Sequence, residues 1–193
     1  MKAVLISIQP KWVEKIANGE KTIEVRKTKP KLETPFKCYI YCTKEKVKDD
    51  FVTISGAFGL IRCPECAICN RAKEYDCNGK VIGEFVCKGI MRPNDSLKLM
   101  AKQSCLTEDE LLEYSNGKTL YGWRIADLKI YDKPKELSEF SHLCENDNKC
   151  VDCKYWVHEN NESGITEFCG CDGLKPITSP PQSWVYVEPL KEN

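Results

Sequence analysis

Residues 16–27 read IANGEKTIEVRK, and the way this stretch is parsed decides the fold. Trp12, Val13, Ile16 and Ala17 fall on one helical face, with Pro10 suited to the first turn and Asn18-Gly19 to the stop. Ile23 and Val25 then alternate with polar residues, which predicts a strand. On that strand Thr22, Glu24 and Arg26 share one face, next neighbours being roughly 6.6–7 Å apart. Lys21 has the parity of Ile23 and Val25, so it can meet Glu24 only from the turn after Gly19 or across a bulge. Either the strand is half-exposed with a surface ion pair of little energetic value, or the charged residues line a cleft.

Working outward, Ala3–Ile8 predicts a strand before the helix. Phe36–Cys42 alternates again, with Phe36, Cys38, Ile40 and Cys42 on one side and Tyr39 and Tyr41 on the other. Residues 51–62 read as a strand broken by Gly56 and Gly59, and Val81–Ile90 as a strand after the turn Asn78-Gly79. A helical region lies near Leu97–Ala101, and a second helix starts at Thr107, where Glu110 completes a capping box. Thr119–Tyr131 is the longest strand; its apolar phase flips after Ile125, which predicts a β-bulge there. The segment from Leu143 to Pro176 has no clear periodicity, and SWVYVE (183–188) returns as a closing strand. Short strands with a few irregularly placed helices predict an α+β domain with a mostly antiparallel sheet, curled into a barrel to remove its edges.

The 193 residues suit a single domain, 1–193, with insertions at about 62–78 and 143–176. Apolar content of 41% supports one core, and no apolar run is long enough to span a bilayer. The N-terminal AVLISI is too short for a signal peptide, so a cytoplasmic location without membrane association is expected. Formal net charge is zero, which excludes a strong whole-molecule attraction to nucleic acid. The first 48 residues nonetheless carry 12 Lys and Arg against 5 Asp and Glu, a basic segment suited to an anionic ligand or a solvated surface.

The 13 cysteines, in a chain read as non-secreted, favour metal ligands and thiols over disulfides. Cys144, Cys150, Cys153, Cys169 and Cys171 offer five candidates for one tetrahedral structural zinc, which would supply the folding energy that this polar segment cannot obtain by burial. Cys63, Cys66, Cys69 and Cys77 form a second candidate zinc site; iron–sulfur spacing fails after the third cysteine. Cys38, Cys42, Cys87 and Cys105 read as small packed hydrophobes.

Gly19-x-Lys21-x-x-Glu24-x-Arg26 resembles the G-x-K-x-x-E-x-R signature of the ASCH domain family. Asn78-Gly79-Lys80-Val81-Ile82-Gly83-Glu84-Phe85, Tyr121-Gly122-Trp123-Arg124-Ile125 and Pro180-Pro181-Gln182-Ser183-Trp184 extend the resemblance in the family's order over most of the chain. The resemblance implies a PUA-like β-barrel that binds RNA or a modified nucleotide in a cleft beside the charged strand. Gly19, Lys21, Thr22, Glu24, Arg26 and Trp184 are then the ligand-binding candidates, with Arg26 offering a planar fork, Lys21 a point charge and Trp184 or Trp123 a stacking surface; core packing is the plainer role for both tryptophans.

The family's hydrolases, which act on acetylated cytidine, use a lysine, a threonine and a glutamate. Lys21 matches the lysine, but Glu24 stands in the threonine's place and Ser104 near the glutamate's. A hydrolase of a modified nucleoside or RNA, with Lys21, Glu24 and Ser104 as catalytic candidates, is therefore the alternative to binding alone. A second alternative is a zinc-stabilised module that meets a protein partner through the Cys-rich insertion.

Overall fold

The computed structural model describes residues 2–44, 79–94, 96–143, 156–161, 164–169 and 174–190. In chain order the elements are β1 (Ala3–Ile8), α1 (Pro10–Ala17), β2 (Ile23–Arg26), β3 (Phe36–Cys42), β4 (Val81–Met91), α2 (Leu97–Ser104), α3 (Glu108–Ser115), β5 (Tyr121–Lys135), β6 (Ser141–Leu143), β7 (Trp156–Asn161), β8 (Gly164–Cys169), β9 (Leu174–Pro176) and β10 (Trp184–Val187). The predicted strand over 51–62 and the insertion at 62–78 lie outside the described residues.

Eight strands form one sheet in the order β2-β5-β4-β3-β1-β10-β6-β9. All pairs are antiparallel except β1–β3, which is parallel and sets Leu5 beside Tyr39 and Ile6 beside Ile40. The predicted α+β class holds, but among the described residues the sheet is mixed and the predicted barrel is not closed: the terminal strands β2 and β9 do not pair with each other. At the β2 end, helices cover what a closing strand would otherwise protect. Ile23 and Val25 pack with Met91, Met100, Ala101, Leu111 and Leu120, and the Thr22 N–H donates to the Gln103 carbonyl at 2.9 Å.

β1 is buried along its whole length, which explains its unbroken apolar run. Val4, Ile6 and Ile8 face α1 with Val13, Ile16, Ile40, Phe85 and Trp123, while Ala3 and Leu5 face Tyr39, Tyr41, Phe140 and Val187. The alternation read in β3 divides between these two clusters, so both of its faces are core. At Gly83 β5 lies too close to β4 for a side chain: a Cβ there would lie 2.5 Å from the Lys129 carbonyl oxygen.

Local signals explain the ends of the elements. Thr107 Oγ1 accepts from the Glu110 N–H and Glu110 Oε2 accepts from the Thr107 N–H, the predicted capping box, worth about 1 kcal/mol. The β5 bulge falls between Ala126 and Lys129, where three steps oppose two on β4 and Asp127 takes a φ of 49°. β6 and β9 pair Leu143 with Leu174 and Ser141 with Pro176, so the ends of the Cys-rich segment are clasped together. Within that segment β7 and β8 form a two-stranded hairpin that its weak periodicity did not announce.

Candidate ligand cleft

Gly19, at φ 75°, follows the α1 cap and lets the chain double back, so that the Lys21 N–H donates to the Lys15 carbonyl at 3.0 Å. Lys21 therefore enters from the turn and escapes the parity of β2. Its Nζ lies 3.4 Å from Glu24 Oε2, 5.1 Å from the centre of the Trp12 ring, and donates to the Ser104 carbonyl at 2.9 Å. Glu24 Oε1 meets Arg26 Nη2 at 3.0 Å, and the same Nη2 donates to the Ser7 carbonyl. The side chains are 3% (Lys21), 8% (Glu24) and 13% (Arg26) exposed, so this is a buried ionic trio rather than a surface pair.

Burial pushes the Lys21 ammonium below its ordinary value of 10.5, with the Glu24 carboxylate opposing that shift. The donor Arg26 Nε has no hydrogen bond among the described residues, whereas Glu24 Oε2, also without one, faces the Lys21 ammonium at 3.4 Å. Leaving a buried donor unmatched costs stability.

The trio opens onto a cleft of about 290 Å³, also lined by Ser7, Gln9, Trp12, Glu110 and Tyr114. That is close to the lower bound, roughly 300 Å³, of small-molecule sites. Ser7 ties the wall together: its Oγ donates to the Pro181 carbonyl at 2.6 Å and its N–H to the Ser183 carbonyl at 2.9 Å.

Lys21, Glu24 and Arg26 are thus brought together. Gly19 shapes the turn, and Thr22 is exposed, contributing its backbone to Gln103 and Ile125. Ser104 meets Lys21 through its carbonyl, while its hydroxyl donates to the Ala101 carbonyl at 3.1 Å. Trp184 lies outside the cleft lining; its Nε1 donates to Thr28 Oγ1 at 2.9 Å, and its ring sits 6.0 Å from that of Trp123, which is fully buried. The aromatic walls are instead Trp12 and Tyr114. The first had been absorbed into the apolar face of α1; the second shares the Leu111 stripe of α3 yet is 40% exposed, the one hint that it faces open space.

No three metal-ligating side chains converge among the described residues. Cys63, Cys66, Cys69, Cys77, Cys144, Cys150, Cys153 and Cys171 lie outside the described residues, and of Cys169 only the backbone is described. Cys38, Cys42 and Cys87 are buried in the core, as small hydrophobes would be. Cys105 instead caps α2 in the left-handed region at φ 58° and is half-buried.

No family model and no curated protein matches the chain. Solved structures do: the ASCH protein of Zymomonas mobilis, at 17% identity and a TM-score of 0.46, over 70% of this chain and 73% of that one. A tyrosine-to-phenylalanine mutant of the Zymomonas protein gives 17% and 0.47, over 71% and 77%. A serine-to-alanine mutant gives 15% and 0.52, over 96% and 88%. The open α+β sheet described above is ASCH-like in fold.

Proposed function

We propose that the protein binds RNA or a nucleotide, ordinary or modified, by seating a base in the Lys21–Glu24–Arg26 cleft. The ASCH-like fold supports the ligand class. The observation that carries the reading is the unmatched donor Arg26 Nε beside the buried Lys21–Glu24 ion pair, in a small cleft with an aromatic wall. Nucleobases present adjacent donors and acceptors of this kind. Glu24 accepts from a ring or exocyclic N–H, Arg26 Nε donates to a ring nitrogen or carbonyl, and Trp12 supplies aromatic surface. Calorimetric titration with ribonucleosides, 5′-nucleotides and short single-stranded RNAs tests this. Saturable binding lost in Trp12→Ala and Arg26→Ala, with the circular dichroism spectrum retained, supports the reading; no saturable binding by any of the three classes overturns it.

Hydrolysis of a modified nucleoside or of RNA is the second reading, favoured by the lowered affinity of buried Lys21 for its proton. Ser104 meets Lys21 through its carbonyl and is not part of the cleft lining, so on this reading Lys21 acts as base toward a water or as the nucleophile itself. Product release from acylated nucleosides or labelled RNA that disappears in Lys21→Met is the expected signature, and intact substrate after prolonged incubation contradicts it.

We further propose structural zinc in the segment 143–176, held by four of Cys144, Cys150, Cys153, Cys169 and Cys171, with Cys63, Cys66, Cys69 and Cys77 as a second site. Elemental analysis is expected to find one or two zinc atoms per chain. Metal-free, stably folded protein removes both sites.

A further inference from the structure

Lys21, Glu24 and Arg26 put two cations and one carboxylate into a single, largely buried cluster. The Arg26 guanidinium keeps its charge at any pH the fold survives, and it lies closer to Glu24, at 3.0 Å against 3.4 Å for Lys21. Arg26 alone therefore balances the carboxylate. Glu110 also lines the cleft, but it is exposed and its Oε2 accepts from the Thr107 N–H. Lys21 is thus the cation in excess, and the member of the cluster that can give up a proton without leaving an unpaired charge behind.

The surroundings of Nζ fit a neutral amine. Among the described residues two oxygens lie near it: the Ser104 carbonyl at 2.9 Å and Glu24 Oε2 at 3.4 Å. A neutral amine has two N–H bonds and one lone pair, whereas the ammonium has three N–H bonds. Two oxygens serve the two N–H bonds, and the lone pair is left over. The third N–H of an ammonium finds only the Trp12 ring, whose centre is 5.1 Å away. Burial weakens the hold of Lys21 on its proton in the same sense, against the pull of Glu24. Lys21 and Trp12 both line the cleft of about 290 Å³, which brings the amine within reach of a small molecule there.

We infer that Lys21 is a covalent site for a small aldehyde, which it captures as an imine. The nitrogen lone pair attacks the carbonyl carbon while the C=O π pair moves to oxygen. Both amine hydrogens then leave with that oxygen as water, and C=N replaces C=O, with no oxidant or reductant consumed. Glu24 Oε2 is placed to take each proton from the nitrogen and pass it to the oxygen. The Trp12 ring offers an apolar wall to the aldehyde's substituent. This activity goes beyond the base-binding reading and does not depend on it.

The test incubates the full chain at neutral pH with propanal and sodium cyanoborohydride, which reduces each imine to a stable propylamine. Peptide mass spectrometry reads the rate at every lysine. Lys21 is expected to react at least about tenfold faster than the exposed Lys11 and Lys29, the preference that a tenfold weaker hold on the proton confers at neutral pH. Arg26→Met, with the fold checked by circular dichroism, returns the Glu24 charge to Lys21 and is expected to lower the Lys21 rate at least about tenfold. A wild-type Lys21 rate short of that preference overturns the inference, and so does a rate that the folded Arg26→Met variant leaves unchanged. If that variant does not fold, the wild-type comparison decides alone. Ribonucleoside titration is a separate readout, so neither result moves the base-binding reading.

Discussion

Lys21–Glu24 and Lys37–Glu84 each span 3.4 Å, on the same sheet, yet they are finished differently. Glu84 has both oxygens engaged: Oε1 by Lys37 and Oε2 by the Tyr131 hydroxyl at 2.7 Å. Its partners are also wetter, with Lys37 27% and Glu84 19% exposed. Glu24 is more deeply buried, and its oxygens are engaged too, Oε2 by Lys21 and Oε1 by Arg26, but the Nε of that arginine is left without a hydrogen bond. The Glu84 cluster is saturated and serves the sheet. The Glu24 cluster leaves one buried donor, Arg26 Nε, unmatched at a cost in stability, and on the reading proposed above that donor is where a ligand engages.

The largest consequence concerns stability. Glu24→Gln leaves Lys21 and Arg26 buried without their counter-charge and is expected to cost about 3–5 kcal/mol. Glu84→Gln keeps an acceptor for Tyr131 and removes only a partly solvated ion pair, so about 1 kcal/mol is expected. Urea unfolding of the two variants measures both, and equal costs would erase the distinction between the clusters.

Binding comes next. Trp12→Ala is expected to weaken nucleoside binding by about 1–3 kcal/mol, as loss of a base–aromatic contact does. Tyr131→Phe, in the saturated cluster, is expected to leave it unchanged in the same titration.

The smallest effect is a pair of opposed alkaline slopes. Burial lowers the folded-state pKa of Lys21 below 10.5, so between those two values the unfolded chain holds a proton that the folded one has released. Lys21 therefore makes stability rise with pH through that window. Tyr131 is shifted upward from 10.0, first by burial and then by Glu84. Above pH 10 the unfolded chain loses a proton that the folded one keeps, so Tyr131 makes stability fall. Lys21→Met is expected to remove the rise and Tyr131→Phe the fall, read as denaturation midpoints between pH 8 and 11; a variant that leaves its slope intact contradicts the assigned cause.

Local chemistry made much of this legible beforehand. The turn at Asn18-Gly19, the capping box of Thr107 and Glu110 and the phase flip near residue 125 each carry their own short-range signal, and each appears in the structure. The parity of Lys21 even narrowed its route to Glu24 to the turn after Gly19 or a bulge, and the structure takes the turn. What stayed hidden depends on long-range pairing. The parallel β1–β3 match and the open sheet are decided by which strands meet, and alternation within a strand carries no record of its neighbour. Helical periodicity likewise cannot separate the rim from the core, so Trp12 reads as part of the apolar face of α1 although it lines the cleft, while Trp184 lies outside that lining.

The Arg26 Nε–H resonance offers the most direct test of the central claim, because it reports on the unmatched donor of the cleft. Nuclear magnetic resonance titration with ribonucleosides and single-stranded RNA is expected to shift that signal saturably, in step with the Trp12 indole N–H. An Arg26 signal that stays fixed while resonances elsewhere move and saturate would place the ligand outside this cleft and contradict the account.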